Sequence, residues 1–213
     1  MELVEKIREV LDKSPKRRFN ESVDLSIVLS GVDLKKNPNL KINEIVELEN
    51  PPKNKDIKVC VFGTGEFAFR AKEAGADLVM DPEELKNMSK RELRKLANRY
   101  DHFIAQADAL PKIAKIIGPV LGPRNKMPIS LPVTAVDRLP TEIKRLKRSV
   151  RIRMRDQPYF SVKVGSRDMS AEEIAKNVDK IINLLKNKYG DLNMIKKAYI
   201  KTTMGPAFEL PLR

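Results

Sequence analysis

Hydrophobic and polar residues alternate along two stretches of the chain, one towards each end. Residues 23–29 alternate apolar with mostly polar side chains, which predicts a strand with one buried face. Residues 150–155 repeat the pattern with arginine at every second position, so a strand there shows guanidinium groups on its other face. A spacing of three to four residues predicts helices at residues 2–13 and 170–188, and further strands are predicted at residues 45–48, 159–164 and 194–203.

The middle of the chain has a different texture, in which short apolar strands alternate with helical segments. The predicted strands are 58–62, 77–80 and 103–107, and the predicted helices are 66–74, 82–100 and 110–117. Ser89 and Glu92 fit a capping box at the start of the helix that runs to Tyr100. This alternation predicts a parallel sheet wrapped by helices.

A break at residues 51–56, with two prolines and then polar residues, separates the first strands from the middle region. The first strands lack enough partners of their own, so we expect the two ends of the chain to pair into one α+β domain. This discontinuous domain comprises residues 1–60 and 156–213, and the α/β domain of residues 61–155 is inserted into it. The expected fold class is therefore mixed, α/β and α+β.

Charge narrows the range of partners. The 213 residues carry 42 Lys and Arg against 29 Asp and Glu, a formal net charge of +13, and the sequence pI is about 9.8. This excess of cations suits a polyanion, and nucleic acid is the leading candidate. A membrane surface also attracts cations, but no apolar run approaches the roughly 20 residues that span a bilayer, and the N-terminus lacks a signal-peptide core. We expect a cytosolic, soluble protein.

Residues 118–128 contain two Gly-Pro pairs and a closing Met-Pro, which predicts a stiff loop with Arg124 and Lys126 at its tip. Such a loop presents cations as a contact surface. An ordinary connection between two elements explains the same residues, because glycine and proline occur in most loops.

A second candidate is the Gly-x-Gly-x-x-Ala sequence of Gly63, Gly65 and Ala68, with Asp81 after the next predicted strand. In a dinucleotide-binding turn the glycines admit a pyrophosphate and the acid binds a ribose hydroxyl, so an NAD-dependent oxidoreductase is the alternative function. Against this, Glu66 would lie beside the phosphates, and the middle region is too short for two mononucleotide halves. A tight strand-to-helix turn also accounts for both glycines.

Other catalytic and metal-binding signals are weak, so we expect no enzyme, no cofactor and no metal site. The single histidine, His102, begins an apolar strand, where a structural imidazole is the simpler interpretation. The single cysteine, Cys60, excludes an internal disulfide, and its apolar neighbours predict a buried, inert thiol.

Two segments favour nucleic acid. Alternate residues of the last predicted strand share one face, which leads into Met204, Gly205 and Pro206; they are Lys197, Tyr199, Lys201 and Thr203. Lysines neutralise phosphates, hydroxyls bond to phosphate or ribose, and a glycine permits a close approach of the backbone. Residues 16–22 couple a basic cluster to Phe19, which either packs against ribose or anchors the core. With 5% aromatic residues and no Trp, we expect a folded RNA read by shape, phosphates and 2′-OH groups.

Three motifs together resemble the L-one family of large-subunit ribosomal proteins, and in detail its archaeal branch. They are Phe19-Asn-Glu-Ser-Val-Asp-Leu, Gly122-Pro-Arg-Asn-Lys-Met-Pro and Lys201-Thr-Thr-Met-Gly-Pro, in the order of the family and across nearly the whole chain. The resemblance implies a first domain formed by both termini and an inserted domain of Rossmann-like, three-layer topology. It also implies that the glycine turn is a feature of this fold without the cofactor function.

By the same resemblance, the first domain binds a helix-loop structure of large-subunit rRNA and forms a mobile stalk beside the tRNA exit site. The associated role is the release of deacylated tRNA. Family members also bind a similar fold in their own mRNA and repress its translation, so that mRNA is a further expected partner. The resemblance thus implies a cytoplasmic, ribosome-associated protein, which we expect to be a monomer off the ribosome.

The family motifs also imply the rRNA-binding residues. At one end of the chain they are Arg18, Phe19, Glu21 and Ser22, and at the other end Thr203, Met204, Gly205 and Pro206. Lys163, Lys197, Tyr199 and Lys201 complete the expected surface, and Arg124 and Lys126 are secondary contacts. Glu21 is acidic, so it either accepts bonds from ribose or guanine, or orients Arg18. Family loops often carry a glycine where this chain has Asn125.

Overall fold

The computed structural model describes residues 2–31, 40–54, 56–190 and 194–211. The chain divides into two compact units, and we treat each by itself. The first unit combines Met1–Lys55 with Arg148–Arg213, and the second is Asp56–Lys147.

The described residues contain seven α-helices and ten strands. The helices are α1 (Glu2–Lys13), α2 (Gly65–Glu73), α3 (Glu84–Asn87), α4 (Lys90–Arg99), α5 (Leu110–Leu121), α6 (Leu139–Lys147) and α7 (Ala171–Tyr189). The strands are β1 (Ser22–Leu29), β2 (Asn43–Glu47), β3 (Val59–Phe62), β4 (Leu78–Met80), β5 (His102–Gln106), β6 (Ile129–Leu131), β7 (Ser149–Arg153), β8 (Tyr159–Ser166), β9 (Ile195–Thr202) and β10 (Phe208–Glu209). Short 3₁₀ segments occupy Ala107–Ala109 and Val133–Arg138.

The first unit contains an antiparallel sheet with the order β10-β9-β1-β8. The central strand β1 buries every second residue, as its alternating pattern predicts. Helices α1 and α7 pack against each other and share one core with the sheet, so they cover one of its faces. The opposite face carries the half-buried side chains Ser22, Asp24 and Ser26 of β1. Charged residues on neighbouring strands therefore meet on that face.

Strand β7 differs from the predicted domain bounds, which assigned residues 61–155 to the insert. It pairs with β2 in a separate two-stranded sheet, with Ile152 opposite Glu44. Because β2 lies in the first unit, its ladder draws β7 into the same unit, and the division falls at Lys147 and Arg148. Residues 56–60, which the predicted bounds place in the first domain, belong to the second unit, because β3 begins at Val59 and pairs with β4 and β5.

The second unit is built on a parallel sheet with the order β4-β3-β5-β6. Cys60 and Phe62 of β3 share a core with side chains from α3, α4 and α5. Strand residues alternate in direction, and α2 and α6 pack together and against β3, so these two helices lie on the other face. A parallel sheet between two helical layers accompanies the antiparallel first unit, which confirms the mixed α/β and α+β fold class.

Two helices begin at capping boxes, whereas one helix extends beyond its predicted end. Ser89 and Glu92 form the predicted capping box at the start of α4, and Ser170 and Glu173 form another at α7. Helix α5, in contrast, continues past the predicted end at residue 117 to Leu121, with Pro119 inside its last turn. The first Gly-Pro pair is therefore helical, and the loop is shorter than predicted.

Burial raises the pKa of the Cys60 thiol, because the thiolate would lose its hydration in the core. We expect Cys60 to resist iodoacetamide in the native protein and to react when the second unit unfolds. A domain stable by about 5 kcal/mol opens in roughly one molecule in several thousand, so the native rate should be at least about 1000-fold below the rate in urea. Mass spectrometry of the alkylated peptide measures both rates, and similar rates would contradict the buried position.

Candidate nucleic-acid interface

Strand pairing brings the two ends of the chain together. β1 and β9 are antiparallel neighbours with Val23 opposite Thr202, so the start of β1 lies beside the end of β9. The Thr203 amide donates to the Ser22 carbonyl at 3.0 Å, and the Ser22 amide donates to Thr203 Oγ1 at 3.2 Å. Residues 16–22 and 203–206 consequently form one continuous surface, which we call the motif surface.

Glu21 lies beneath the motif surface, with 1% of its area exposed. Its Oε1 accepts a hydrogen bond from the Met204 amide at 2.9 Å, and its Oε2 accepts one from Arg167 Nη1 at 3.0 Å. The motifs predict that this carboxylate bonds to RNA or orients Arg18, whereas its ion-pair partner is Arg167. A buried carboxylate must be paired, and here both oxygens hold protein groups in place. Glu21 fixes the turn that carries Met204.

Arg167 is the residue of this site that sequence analysis missed. Besides Glu21, its guanidinium donates to three carbonyls at the end of α1: Leu11 at 3.2 Å, Ser14 at 2.6 Å and Pro15 at 2.7 Å. The negative end of the α1 helix dipole also attracts a cation at this position. Arg167 reaches Glu21 because of the register of β1 and β8, in which Ser166 is opposite Ser22 and the Arg167 amide donates to the Glu21 carbonyl at 2.9 Å. This register depends on tertiary structure, so no local sequence pattern indicates the contact.

Gly205 closes the turn over two buried hydroxyl groups. A Cβ atom at Gly205 would lie 2.4 Å from Thr202 Oγ1 and 2.7 Å from Ser14 Oγ. These distances are far shorter than real Cβ contacts, so a side chain at this position displaces the turn. The packing of the protein therefore accounts for this glycine, where sequence analysis invoked a close approach of RNA.

Two large apolar side chains are exposed on the motif surface. Phe19 is 54% exposed and Met204 is 60% exposed, and Arg17 and Arg18 beside Phe19 are exposed as well. The exposed ring of Phe19 rules out the alternative of a core anchor. Exposed apolar groups among cations are typical of a surface that binds a partner, because association removes them from water.

Charged residues continue onto the open face of the sheet. Asp24 lies opposite Lys163 of β8 and Lys201 of β9. Burial raises the pKa of the Asp24 carboxyl, and the two lysines oppose that effect by attracting its charged form. Lys163 Nζ donates to the Asn54 side chain, which in turn donates to Ser22 Oγ at 3.0 Å. This network joins Lys163 to the motif surface.

The chain is similar in sequence to known proteins of one family. The model of the ribosomal protein L1p/L10e family matches residues 11–206, a span that includes all three motifs. The chain belongs to this family. It is 61% identical over 208 residues to the large ribosomal subunit protein uL1 of Korarchaeum cryptofilum, covering 97% of this chain and 92% of that protein.

Two other archaeal proteins are similar over nearly the same length. The large ribosomal subunit protein uL1 of Archaeoglobus fulgidus is 44% identical over 208 residues, covering 96% of this chain and 95% of that protein. The corresponding protein of Methanosphaera stadtmanae is 41% identical over 205 residues and is covered to 95% in both chains. These matches confirm the resemblance to the L-one family and to its archaeal branch.

Within this L1p/L10e chain, Lys197 lies apart from the motif surface. It is six residues before Thr203 along an extended strand, a distance of roughly 20 Å. Lys197 Nζ lies 3.6 Å from a Glu209 oxygen and 6.0 Å from the centre of the Tyr199 ring. A hydrogen bond with Tyr199 and the charge of Glu209 both raise the pKa of Lys197. The structure therefore does not bring Lys197 together with Thr203, and Tyr199 is half-buried between them.

Both cations of the predicted basic loop donate hydrogen bonds to other groups of the second unit. Lys126 Nζ donates to the carbonyls of Ala97 at 2.9 Å and Tyr100 at 2.7 Å, at the end of α4. Arg124 is exposed, and its guanidinium donates to Asn98 Oδ1 at 3.3 Å and to the Val120 carbonyl at 3.0 Å. Asn125 adopts a left-handed φ of 57° without a glycine. Lys126 is thus a helix cap, where the sequence predicted a presented cation.

The glycine turn of residues 63–68 is filled by the protein itself. A Cβ atom at Gly63 would lie 2.4 Å from the Phe67 ring, so this glycine makes room for that buried side chain. The Thr64 amide donates to Gln106 Oε1 at 3.2 Å, so a donor that a pyrophosphate would need is engaged. The turn therefore has the predicted strand-to-helix geometry, and the packing of Phe67 accounts for Gly63.

The part of the chain that the structure describes contains no group of three or more His, Cys, Asp or Glu side chains that could hold a metal ion. None of its helices has the length and apolar character that crossing a membrane requires.

Proposed function

We propose that this protein is a component of the large ribosomal subunit and binds rRNA through the motif surface. The observation that carries the proposal is the convergence of residues 16–22 and 203–206 on one surface. The buried Glu21 stabilises this arrangement, because it accepts hydrogen bonds from the Met204 amide and from Arg167. The relatives from Korarchaeum, Archaeoglobus and Methanosphaera are all large ribosomal subunit proteins, which supports the assignment and a ribosome-associated, cytoplasmic location.

The chemistry of the motif surface suits a folded RNA. Arg17 and Arg18 neutralise phosphates. The Thr203 hydroxyl accepts from the Ser22 amide at 3.2 Å and donates to the Ser22 carbonyl at 3.3 Å, and its second lone pair accepts from a ribose 2′-OH. Phe19 and Met204 pack against ribose or base faces, which removes their exposed apolar area from water. Since hydrogen bonds within the protein already fix the turn, little conformational entropy is lost on binding.

The proposal extends to the finer roles that family resemblance implies. The bound rRNA segment forms the mobile stalk beside the tRNA exit site, and the protein assists the release of deacylated tRNA. A similar fold in its own mRNA competes for the motif surface, and its binding represses translation. Both roles use the same contacts, so a variant that loses the rRNA segment loses the mRNA as well.

Binding to large-subunit rRNA fragments across a salt series tests the proposal, with an unrelated structured RNA as competitor. We expect one fragment to bind tightly and to resist the competitor, because the motif surface reads a specific shape. The logarithm of the binding constant should fall linearly with the logarithm of salt concentration, since phosphate contacts release counterions. Equal binding to the fragment and to the competitor would show a generic polycation and overturn the proposal.

Met204→Ala isolates the motif surface. The side chain is exposed, so we expect unchanged stability and about a tenfold loss of affinity for the specific fragment, the effect of about 1.4 kcal/mol at an interface anchor. Lys197→Gln is the control on the same sheet. It should change the slope of log binding constant against log salt concentration by less than about one, the effect of one phosphate contact. Filter binding measures both variants, and equal losses of specific affinity would contradict the proposed surface.

A further inference from the structure

Helix α4 carries an unusual concentration of positive charge on the second unit. Its ten residues include one acid, Glu92, and five cations: Lys90, Arg91, Arg94, Lys95 and Arg99. Leu93, Leu96 and Ala97 are buried and fix the face that turns inward. At 3.6 residues per turn, the opposite face presents Arg91, Arg94, Lys95 and Asn98. All four of these side chains are exposed.

Among the described residues, no ion pair neutralises these charges. Glu92 Oε2 accepts from the Ser89 amide and from Ser89 Oγ, both at 2.7 Å, so the single acid serves the capping box. Those hydrogen bonds and, more weakly, the charge of Lys95 hold the pKa of Glu92 below its ordinary value. Across the described ranges, none of the five cations of α4 forms an ion pair.

Several cations on other exposed helices have acidic partners. Glu9 of α1 pairs with both Lys6 and Lys13. Arg70 of α2 lies near two glutamates, and Arg145 of α6 pairs with Glu142. In α4, by contrast, Arg91 and Lys95 are four residues apart with like charge, a spacing that disfavours the helix. A merely solvated face does not require this arrangement.

Arg124 extends the charged face beyond the helix. Its Nε donates to Asn98 Oδ1 at 3.3 Å and its Nη1 to the Val120 carbonyl at 3.0 Å, so the guanidinium is held beside the last turn of α4. We call the surface formed by Arg91, Arg94, Lys95, Asn98 and Arg124 the basic face. Three of its four cations lie on α4, where successive turns are about 5.4 Å apart, and Arg124 lies beside the last turn.

We infer that the basic face is a second RNA-binding surface, which contacts backbone phosphates without reading sequence. Guanidinium groups bind phosphate oxygens in bidentate geometry, and a row of them follows a phosphate backbone. Base stacking is excluded on this helix face, because the neighbouring Tyr100 is buried. None of the exposed large hydrophobic side chains of the described residues lies on α4, whereas protein interfaces need such anchors at their centre.

A triple variant of the full-length protein, Arg91→Gln with Arg94→Gln and Lys95→Gln, tests the inference. The matched control, Lys112→Gln with Lys115→Gln and Lys144→Gln, removes the same charge from exposed positions of α5 and α6. The probe is a short RNA duplex of arbitrary sequence, measured across a salt series. We expect the basic-face variant to lower the salt slope by about two to three, and the control to change it by less than about one.

A second readout locates the contact and separates this inference from the proposed function. Acetylation of lysines, followed by mass spectrometry, should show that the duplex protects Lys95 and leaves Lys112 reactive. The basic-face variant should keep the specific rRNA fragment preference that Met204→Ala loses, so either proposal can fail alone. Equal salt slopes for the two triple variants, an unprotected Lys95, or equal competition by anionic lipid vesicles would each overturn the inference.

Discussion

Replacement of Glu21 by glutamine is expected to destabilise the first unit by about 3 kcal/mol, because it removes one partner of a buried ion pair. The glutamine side chain keeps the shape of Glu21 but leaves the Arg167 guanidinium without its counter-charge. It also removes the charged acceptor of the Met204 amide, so the turn of residues 203–206 loosens. Hydrogen exchange with mass spectrometry reports the amides of the first unit separately from those of the second.

An exposed ion pair provides the control for Glu21→Gln. Arg8 and Glu172 lie 2.9 Å apart, and more than half of each side chain is exposed to water. Glu172→Gln breaks an Arg–Glu pair by the same chemical change, yet we expect it to cost less than about 1 kcal/mol because solvent screens the pair. A similar, small effect of both substitutions would mean that the Glu21 site is not buried in solution.

The affinity of Glu21→Gln for RNA should fall together with its stability, because Glu21 acts by holding Met204 in position. We expect about a tenfold or greater loss of affinity for the specific rRNA fragment at a temperature where the variant is folded. If Glu21 instead contacts RNA directly, affinity will fall while exchange at the Met204 amide stays slow. The two measurements together therefore decide between a positioning role and a contact.

The sequence predicts those parts of the fold that depend on neighbours along the chain. The alternation in residues 23–29 and the capping box at Ser89 both follow from local geometry and are confirmed. Strand β7 shows where such patterns end, because its alternation identifies a strand and says nothing about its partner. The choice between the two units depends on a ladder with β2, about 100 residues away in sequence.

The candidate site shows the same division between local and tertiary information. Motifs indicate that residues 16–22 and 203–206 belong to one surface, and the exposure of Phe19 agrees with that prediction. The partner of Glu21 could not be predicted from the motifs, since Arg167 reaches it through the register of β1 and β8. Lys126 is likewise a cation in sequence and a helix cap in the structure.

Gly205→Ala is expected to cost about 1–3 kcal/mol of stability and to weaken binding to the specific rRNA fragment about tenfold or more. The new methyl group would meet Thr202 Oγ1 at 2.4 Å and Ser14 Oγ at 2.7 Å. Neither group yields easily, because Thr202 is buried and β-branched, and Ser14 Oγ donates to the Val10 carbonyl at 2.6 Å. The turn must therefore move, and Met204 moves with it.

A matched substitution and a rescue test this cause. Gly118→Ala places the same methyl group in α5 with no atom beyond its neighbours in the helix within 4 Å, so no packed group must move. Pro119 follows and disfavours a helical alanine at this position, so we expect a small cost, well below that of Gly205→Ala. Thr202→Ala removes the nearer hydroxyl, whose oxygen has no hydrogen-bond partner among the described residues. On that background Gly205→Ala should cost less than it does in the natural chain, a non-additive result typical of residues in contact.

The pattern of losses distinguishes packing from RNA approach at Gly205. If the turn is displaced, Gly205→Ala lowers both stability and affinity, and Thr202→Ala restores part of both. If the glycine instead serves only the approach of an RNA backbone, affinity falls at unchanged stability, and Thr202→Ala restores nothing. Met204→Ala should give an affinity loss without a stability loss, because its side chain is exposed. Comparing the two neighbouring substitutions therefore separates the residue that contacts RNA from the residue that holds it in position.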